Sequence, residues 1–178
     1  MDMNSRARKI EQLSVAARLH DVAVYMHDGH ADRVAKIAAV LERLDPGVYL
    51  VGAGPYTQGI YSLMCDEVVI GRLATALEQS KDVPVDILVN DAAALAPREV
   101  SRVHCVIYRA EGTFQHDYFL MDRCSTCGTY LNGEKLESQR STESDERRRV
   151  SRSLSDGDII SLGSSLINTF LFADLRTR

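Results

Sequence analysis

Apolar and polar positions change rhythm along the chain near residue 46. From Ser5 to Asp45 the chain is rich in Ala, Leu, Val, Lys and Arg, has no proline, and carries Gly29 as its only glycine. That composition favours helix. Val34, Ile37, Ala38, Leu41 and Leu44 recur at i, i+3, i+4 and i+7, which predicts a helix over about 31–44 with one apolar stripe, stopped by Asp45-Pro46-Gly47. A second helix is predicted over about 5–27. It has Ile10, Leu13, Ala17 and Val24 on one side, Leu19, Val22, Tyr25 and Met26 elsewhere, and Asp28-Gly29 at its end. The pair reads as an α-helical hairpin, 1–45, whose apolar surface is wide enough to need cover on two sides.

After Val48 short apolar runs alternate with Gly, Asn, Asp and Ser, the signature of successive short strands. Strands are expected at Val48–Val51, Ile60–Met64, Glu67–Ile70, Val85–Val89, Val103–Arg109, Tyr118–Met121, Thr129–Leu131, Ile159–Leu162 and Ile167–Phe172. With no convincing long helix among them, this part reads as mainly β, an all-β sandwich over 46–178. Leu131-Asn132-Gly133-Glu134 predicts a two-residue hairpin loop, because Asn-Gly tolerates positive φ angles. Ser155-Asp156-Gly157-Asp158 predicts another turn. Residues 137–153 hold Val150 as their single apolar residue and are expected to form a mobile insertion loop. Within it Arg148-Arg149-Val150-Ser151 resembles a site for basic-directed protein kinases, so Ser151 and Ser153 are candidate phosphorylation sites.

Composition narrows the classes. The chain has 178 residues, 45% apolar and 26% charged, with a formal charge of −4, which suits one globular domain with a modest extension. The uncharged stretch Ile159 to Ala173 is shorter than the roughly 18 residues of a membrane span and is interrupted by Gly163, Ser164, Ser165 and Asn168, so no membrane association is expected. The opening Met1-Asp2-Met3-Asn4-Ser5 lacks the apolar run of a secretory signal, which places the four cysteines in a reducing compartment as thiols. Residues 1–45 carry seven charges of each sign and 134–156 six of each, whereas 46–133 carry six basic against ten acidic. Phosphate backbones need a clustered basic face, and Arg147-Arg148-Arg149 is the single short run available, which argues against nucleic acid.

Four pieces fall at expected strand ends, where loops on a rigid scaffold present binding groups. Glu67-Val68-Val69-Ile70-Gly71-Arg72 ends a strand in Gly-Arg, and Ser101-Arg102-Val103-His104 opens the next. Ser125-Thr126-Cys127-Gly128-Thr129-Tyr130-Leu131-Asn132-Gly133 opens a hairpin, and Leu154-Ser155-Asp156-Gly157-Asp158-Ile159-Ile160 leads into the last strands. In this order and spacing the chain, over about residues 46–175, resembles the forkhead-associated (FHA) domain family. The resemblance implies an eleven-stranded β-sandwich of the SMAD/FHA type whose apical loops read phosphothreonine peptides.

The chemistry of those residues agrees. Phosphothreonine brings close to two negative charges and three acceptor oxygens, and wants convergent donors. Arg72 offers a guanidinium fork to two oxygens, a match that Lys would lack. Ser101 offers a hydroxyl, Arg102 a second charge or peptide contacts, and the resemblance puts a further hydroxyl at Thr126. His104 is implied to pack inward and hold the loop, while Gly71, Gly128, Asn132 and Gly133 are expected to shape and support the binding loops. Cys127 stands where the family usually has an Asn that bonds the peptide backbone, and losing one such bond costs about 0.5–1.5 kcal/mol. The family also reads the third residue after phosphothreonine through the loop that here holds Arg123 and Cys124, and Arg123 would favour an acidic residue there.

Other chemistries find no support. Cys124-x-x-Cys127 is half of a zinc site with no second pair after it, so no metal is expected. Gly54 and Gly59 have phosphate-loop spacing, but Ile60-Tyr61 stand where Lys and Ser/Thr are required. No nucleophile elbow is present, and neither an enzyme nor a cofactor is expected. The sequence therefore predicts an adaptor that recruits phosphothreonine-containing proteins in kinase-dependent signalling. In eukaryotic relatives such modules serve the DNA-damage response, the cell cycle or chromosome segregation, which favours the nucleus over the cytoplasm. The rival is a structural protein whose sandwich has lost phosphate reading and which holds a partner helix or a second copy through residues 5–44.

Overall fold

In a computed structural model the described residues are 30–54, 57, 59–72, 85–89, 99–109, 118–138, 149–165 and 167–177. One helix, α1 (His30–Leu41), precedes eleven strands. These are β1 (Val48–Gly52), β2 (Ile60–Ser62), β3 (Glu67–Arg72), β4 (Ile87–Val89), β5 (Cys105–Arg109) and β6 (Tyr118–Asp122), followed by β7 (Thr129–Leu131), β8 (Glu134–Lys135), β9 (Arg152–Ser153), β10 (Ile159–Leu162) and β11 (Thr169–Asp174). They form a six-stranded sheet in the order β2-β1-β11-β10-β7-β8 and a five-stranded sheet in the order β4-β3-β5-β6-β9. Neighbours are antiparallel except β3 and β4, which run parallel. No helix among the described residues is long and apolar enough to cross a membrane.

Strand alternation explains the core. Leu50, Val68, Ile70, Ile107, Leu120, Ile160, Phe170 and Phe172 point between the sheets and are almost wholly excluded from solvent. Each such side chain contributes about 1.5–3 kcal/mol of burial. The alternate positions are apolar too, because both outer faces are covered. Tyr49, Val51, Ile60 and Ala173 lie beneath α1, which sets Ile37, Val40 and Leu41 against them, with Leu44 just after the helix. On the five-stranded sheet Val69, Val106 and Met121 form a second outer cluster with Val85, Val103, Tyr108 and Val150. Hence Val48–Gly52 reads as one unbroken apolar run, with every residue buried.

Several expectations shift. The expected helical hairpin is not supported: its first helix, 5–27, lies outside the described residues, and a single helix, α1, falls where the second, about 31–44, was expected. The stripe of α1 is rotated from the one expected: Val34 is 54% exposed and Ala38 is exposed, while Val40 is buried. The loop expected over 137–153 does not reach 153, since Arg152–Ser153 pairs with Phe119 and Leu120 of β6, and its residues 139–148 lie outside the described residues. Val150 joins the outer cluster, and Ser151 is buried with its Oγ accepting a bond from the Tyr108 hydroxyl at 2.8 Å. A kinase reaches Ser151 only if this segment peels from the sheet, whereas Ser153 is exposed in β9. The last strand begins at Thr169 instead of Ile167, and β5 begins at Cys105 instead of Val103.

Candidate functional site

Three pieces of chain meet at one end of the sandwich: the end of β3, the 99–104 loop entering β5, and the 122–128 loop between β6 and β7. Their meeting starts at Gly71. A Cβ there would stand 2.0 Å from the Arg102 carbonyl oxygen, so the loop can lie on β3 because residue 71 has no side chain. Two backbone bonds seal the contact, Arg72 N–H to the Ser101 carbonyl at 3.0 Å and His104 N–H to the Ile70 carbonyl at 2.9 Å. Arg72, half-buried, shares by alternation the face of Val68 and Ile70, at the rim of the core.

His104 ties the second piece to the third. Its ring is wholly buried; Nδ1 accepts the Ser101 N–H at 3.0 Å and Nε2 donates to the Gly128 carbonyl at 3.1 Å. A backbone N–H can only donate and a carbonyl can only accept, so the neutral Nε2–H tautomer is specified. Burial pushes the ring below the usual histidine range, although the Gly128 bond and the charges of Asp122 and Glu99 oppose that. The clamp sets two hydroxyls side by side: Thr126 N–H donates to Ser101 Oγ at 2.9 Å, and Ser101 Oγ and Thr126 Oγ1 are 3.4 Å apart. Arg102 and Thr126 are exposed, and Ser101, Arg123 and Cys127 are half-buried.

Asp122 organises the third piece, a role the sequence reading missed. Its carboxylate is buried and accepts from Ser125 N–H at 3.0 Å, Ser125 Oγ at 2.5 Å and Thr129 Oγ1 at 2.6 Å. Burial alone would raise its pKa, but the bonds from Ser125, Thr129 and Ser138 outweigh burial and hold the carboxyl below the ordinary range. An Asp three residues before a Ser, at a strand end, is the available signal for such a turn. Burial pushes the neighbouring Cys105 thiol far up, leaving it an inert core group. Cys124 is exposed and takes φ 54°.

Gly128 takes φ +83°, which disfavours a side chain, and the Lys135 stem lies over it: a Cβ would fall 2.4 Å from Lys135 Cε and push the stem aside. Asn132 and Gly133 adopt φ 51° and 86°, the two-residue turn expected. Their place differs from the expectation that they support the binding loops. They follow β7 where Gly128 precedes it, and Asn132 bonds Asp158 and Ile159: Nδ2 donates to Asp158 Oδ1 at 2.8 Å, and Ile159 N–H donates to Asn132 Oδ1 at 2.9 Å. The structure therefore brings together Gly71, Arg72, Ser101, Arg102, His104, Thr126 and Gly128, with Arg123 and Cys127 in the same loop, and sets Asn132-Gly133 at the other end of β7.

The FHA domain family matches residues 68–163, more than half of the chain and the whole of this loop constellation. The chain belongs to the FHA domain family. FHA domains are interaction modules. Among solved structures the fold is similar to full-length yeast Pml1p, 17% identical over 83% of this chain and 94% of that one, with a TM-score of 0.52. A structure of the yeast Pml1 splicing factor, concerned with its integration into the RES complex, is 21% identical over 78% of this chain and 88% of that one, at TM-score 0.51. The FHA domain of an Arabidopsis thaliana hypothetical protein is 22% identical over 73% and 86%, at TM-score 0.50. No curated protein matches the chain.

Proposed function

We propose that this FHA domain is a phosphothreonine-peptide binding module that recruits phosphorylated partners in kinase-dependent signalling. The observation that carries the reading is the clamp of Gly71, His104 and Gly128, which holds Ser101 and Thr126 as neighbouring hydroxyls beside the end of β3, where Arg72 stands. A pre-organised set of donors binds a dianion without the cost of ordering loops at the moment of binding. In this reading Arg72 takes two phosphate oxygens, Ser101 and Thr126 donate to the third, and Arg102 steadies the peptide. Arg123 favours an acidic residue further along, and Cys127 leaves one peptide-backbone bond unmade. Phosphothreonine is written by kinases inside the cell, so the module works there, with the nucleus as the favoured compartment.

Fluorescence anisotropy against a phosphothreonine peptide library, beside phosphoserine and unphosphorylated sets, tests this. Binding should require the phosphate and vanish in Arg72→Ala while the circular dichroism spectrum stays unchanged. Peptide binding indifferent to phosphate, or none at protein concentrations near about 1 mM, would overturn it.

A further inference from the structure

We propose that Lys135 is a specificity residue of this site, reading an acidic side chain of the peptide on the Cys127 flank of the phosphothreonine; the proposal rests on the phosphopeptide reading above. The argument starts from the β7–β8 hairpin. Tyr130 pairs with Lys135, so the two side chains share a face, and Gly128, two residues before Tyr130, lies on that face too. Because residue 128 has no side chain, the aliphatic stem of Lys135 occupies its place: a Cβ on Gly128 would stand 2.4 Å from Cε and 3.2 Å from Nζ. The stem therefore lies across the glycine and carries the ammonium back along β7 to the residue next to Cys127.

The charge there is available. Lys135 is exposed and paired with no carboxylate among the described residues, and its neighbour Glu134, paired with Leu131, points to the opposite face. Cys127 is a weak hydrogen-bond donor, so the strongest donor on that flank is the ammonium. In the proposed function the phosphate is held by Arg72, Ser101 and Thr126, whereas the Lys135 ammonium lies over Gly128, two residues along the chain from Thr126. A flanking carboxylate is the group left for it to meet.

The experiment compares the full chain with Lys135→Met, Lys135→Arg, Arg123→Gln and Arg72→Ala on phosphothreonine peptides of neutral sequence, each carrying one acidic residue moved a position at a time. Beside the position read by Arg123, wild type should prefer an acid at one further position by about two- to five-fold, as expected of an exposed ion pair. Lys135→Met should abolish that preference without changing affinity for the neutral phosphopeptide, Lys135→Arg should retain it, and Arg123→Gln should act at a different position. An acid profile unchanged in Lys135→Met overturns the proposal, as does an equal loss on every phosphopeptide, which would assign Lys135 to the phosphate. Wild-type binding indifferent to phosphate, with no effect of Arg72→Ala, overturns the phosphopeptide reading and this inference with it.

Discussion

Gly71 and Arg102 meet backbone to backbone, with the Arg102 carbonyl oxygen 2.0 Å from where a Cβ on residue 71 would stand. The Gly-Arg pair at the end of β3 is thus one device: the glycine admits the 99–104 loop, and the Arg72 N–H bonds it at the Ser101 carbonyl. In Gly71→Ala the loop must move away, breaking that bond and parting Arg72 from Ser101 and Thr126. We expect a stability loss of about 1–3 kcal/mol by urea denaturation, typical of overpacking, with phosphopeptide affinity falling alongside. A wild-type urea midpoint in this variant would show that the contact costs nothing to relieve.

His104 gives the fold a pH dependence of defined sign. Burial holds its folded-state pKa below the ordinary value, so between the folded value and about 6.5 the unfolded chain binds more protons than the native one. Its contribution is complete above about pH 6.5 and is lost as pH falls through the folded pKa. Thermal melts at pH 7.5 and 5.0 should show a larger acid-induced drop in wild type than in His104→Asn, the other histidines being common to both. Parallel pH profiles would remove His104 as the titrating group.

Asp122 should be the most sensitive side chain of the 122–128 loop. Asp122→Ala strips an acceptor from Ser125 N–H, Ser125 Oγ and Thr129 Oγ1, leaving the wholly buried Thr129 hydroxyl without it. Hydrogen bonds to a charged group are worth about 1.5–3 kcal/mol each net, so a loss of about 3 kcal/mol or more is expected by chemical denaturation. Amide exchange at Ser125 should accelerate at the same time. Retained protection there would mean that Ser125 is held by something other than this carboxylate.

The strands that bury apolar residues were legible because alternation and turn residues mark them, and Thr129–Leu131 and Ile159–Leu162 fall where expected. Glu134–Lys135 and Arg152–Ser153 escaped the reading because all four residues are exposed; these strands exist through their backbone pairing to β7 and β6. The stripe of α1 was misplaced for a related reason. Periodicity finds a face but cannot tell Val34 from Val40 when both are apolar, and contact with Tyr49, Val51 and Ile60 selects the second. At the site, Gly71, Arg72, Ser101, His104, Thr126 and Gly128 were readable as a motif. Asp122 was not, since its part arises from the donors the fold brings to it, and the place of Lys135 over Gly128 likewise comes from the pairing of β7 with β8.

Gly133 and Gly128 separate stability from binding. Gly133 takes φ +86° with nothing within 4 Å of a Cβ built on it, so Gly133→Ala costs only the left-handed backbone, about 1–2 kcal/mol. Its turn bonds Asp158 and Ile159 at the end of β7 away from Gly128, so phosphopeptide affinity measured well below the melting temperature should stay at the wild-type value. Gly128→Ala carries the same conformational cost at φ +83° and also displaces the Lys135 stem, next to the carbonyl that accepts from His104 Nε2. It should lower stability by at least as much and weaken phosphopeptide binding as well. Calorimetric melts and anisotropy on the two variants check both halves; equal losses of affinity would place the Asn132-Gly133 turn in the binding apparatus after all.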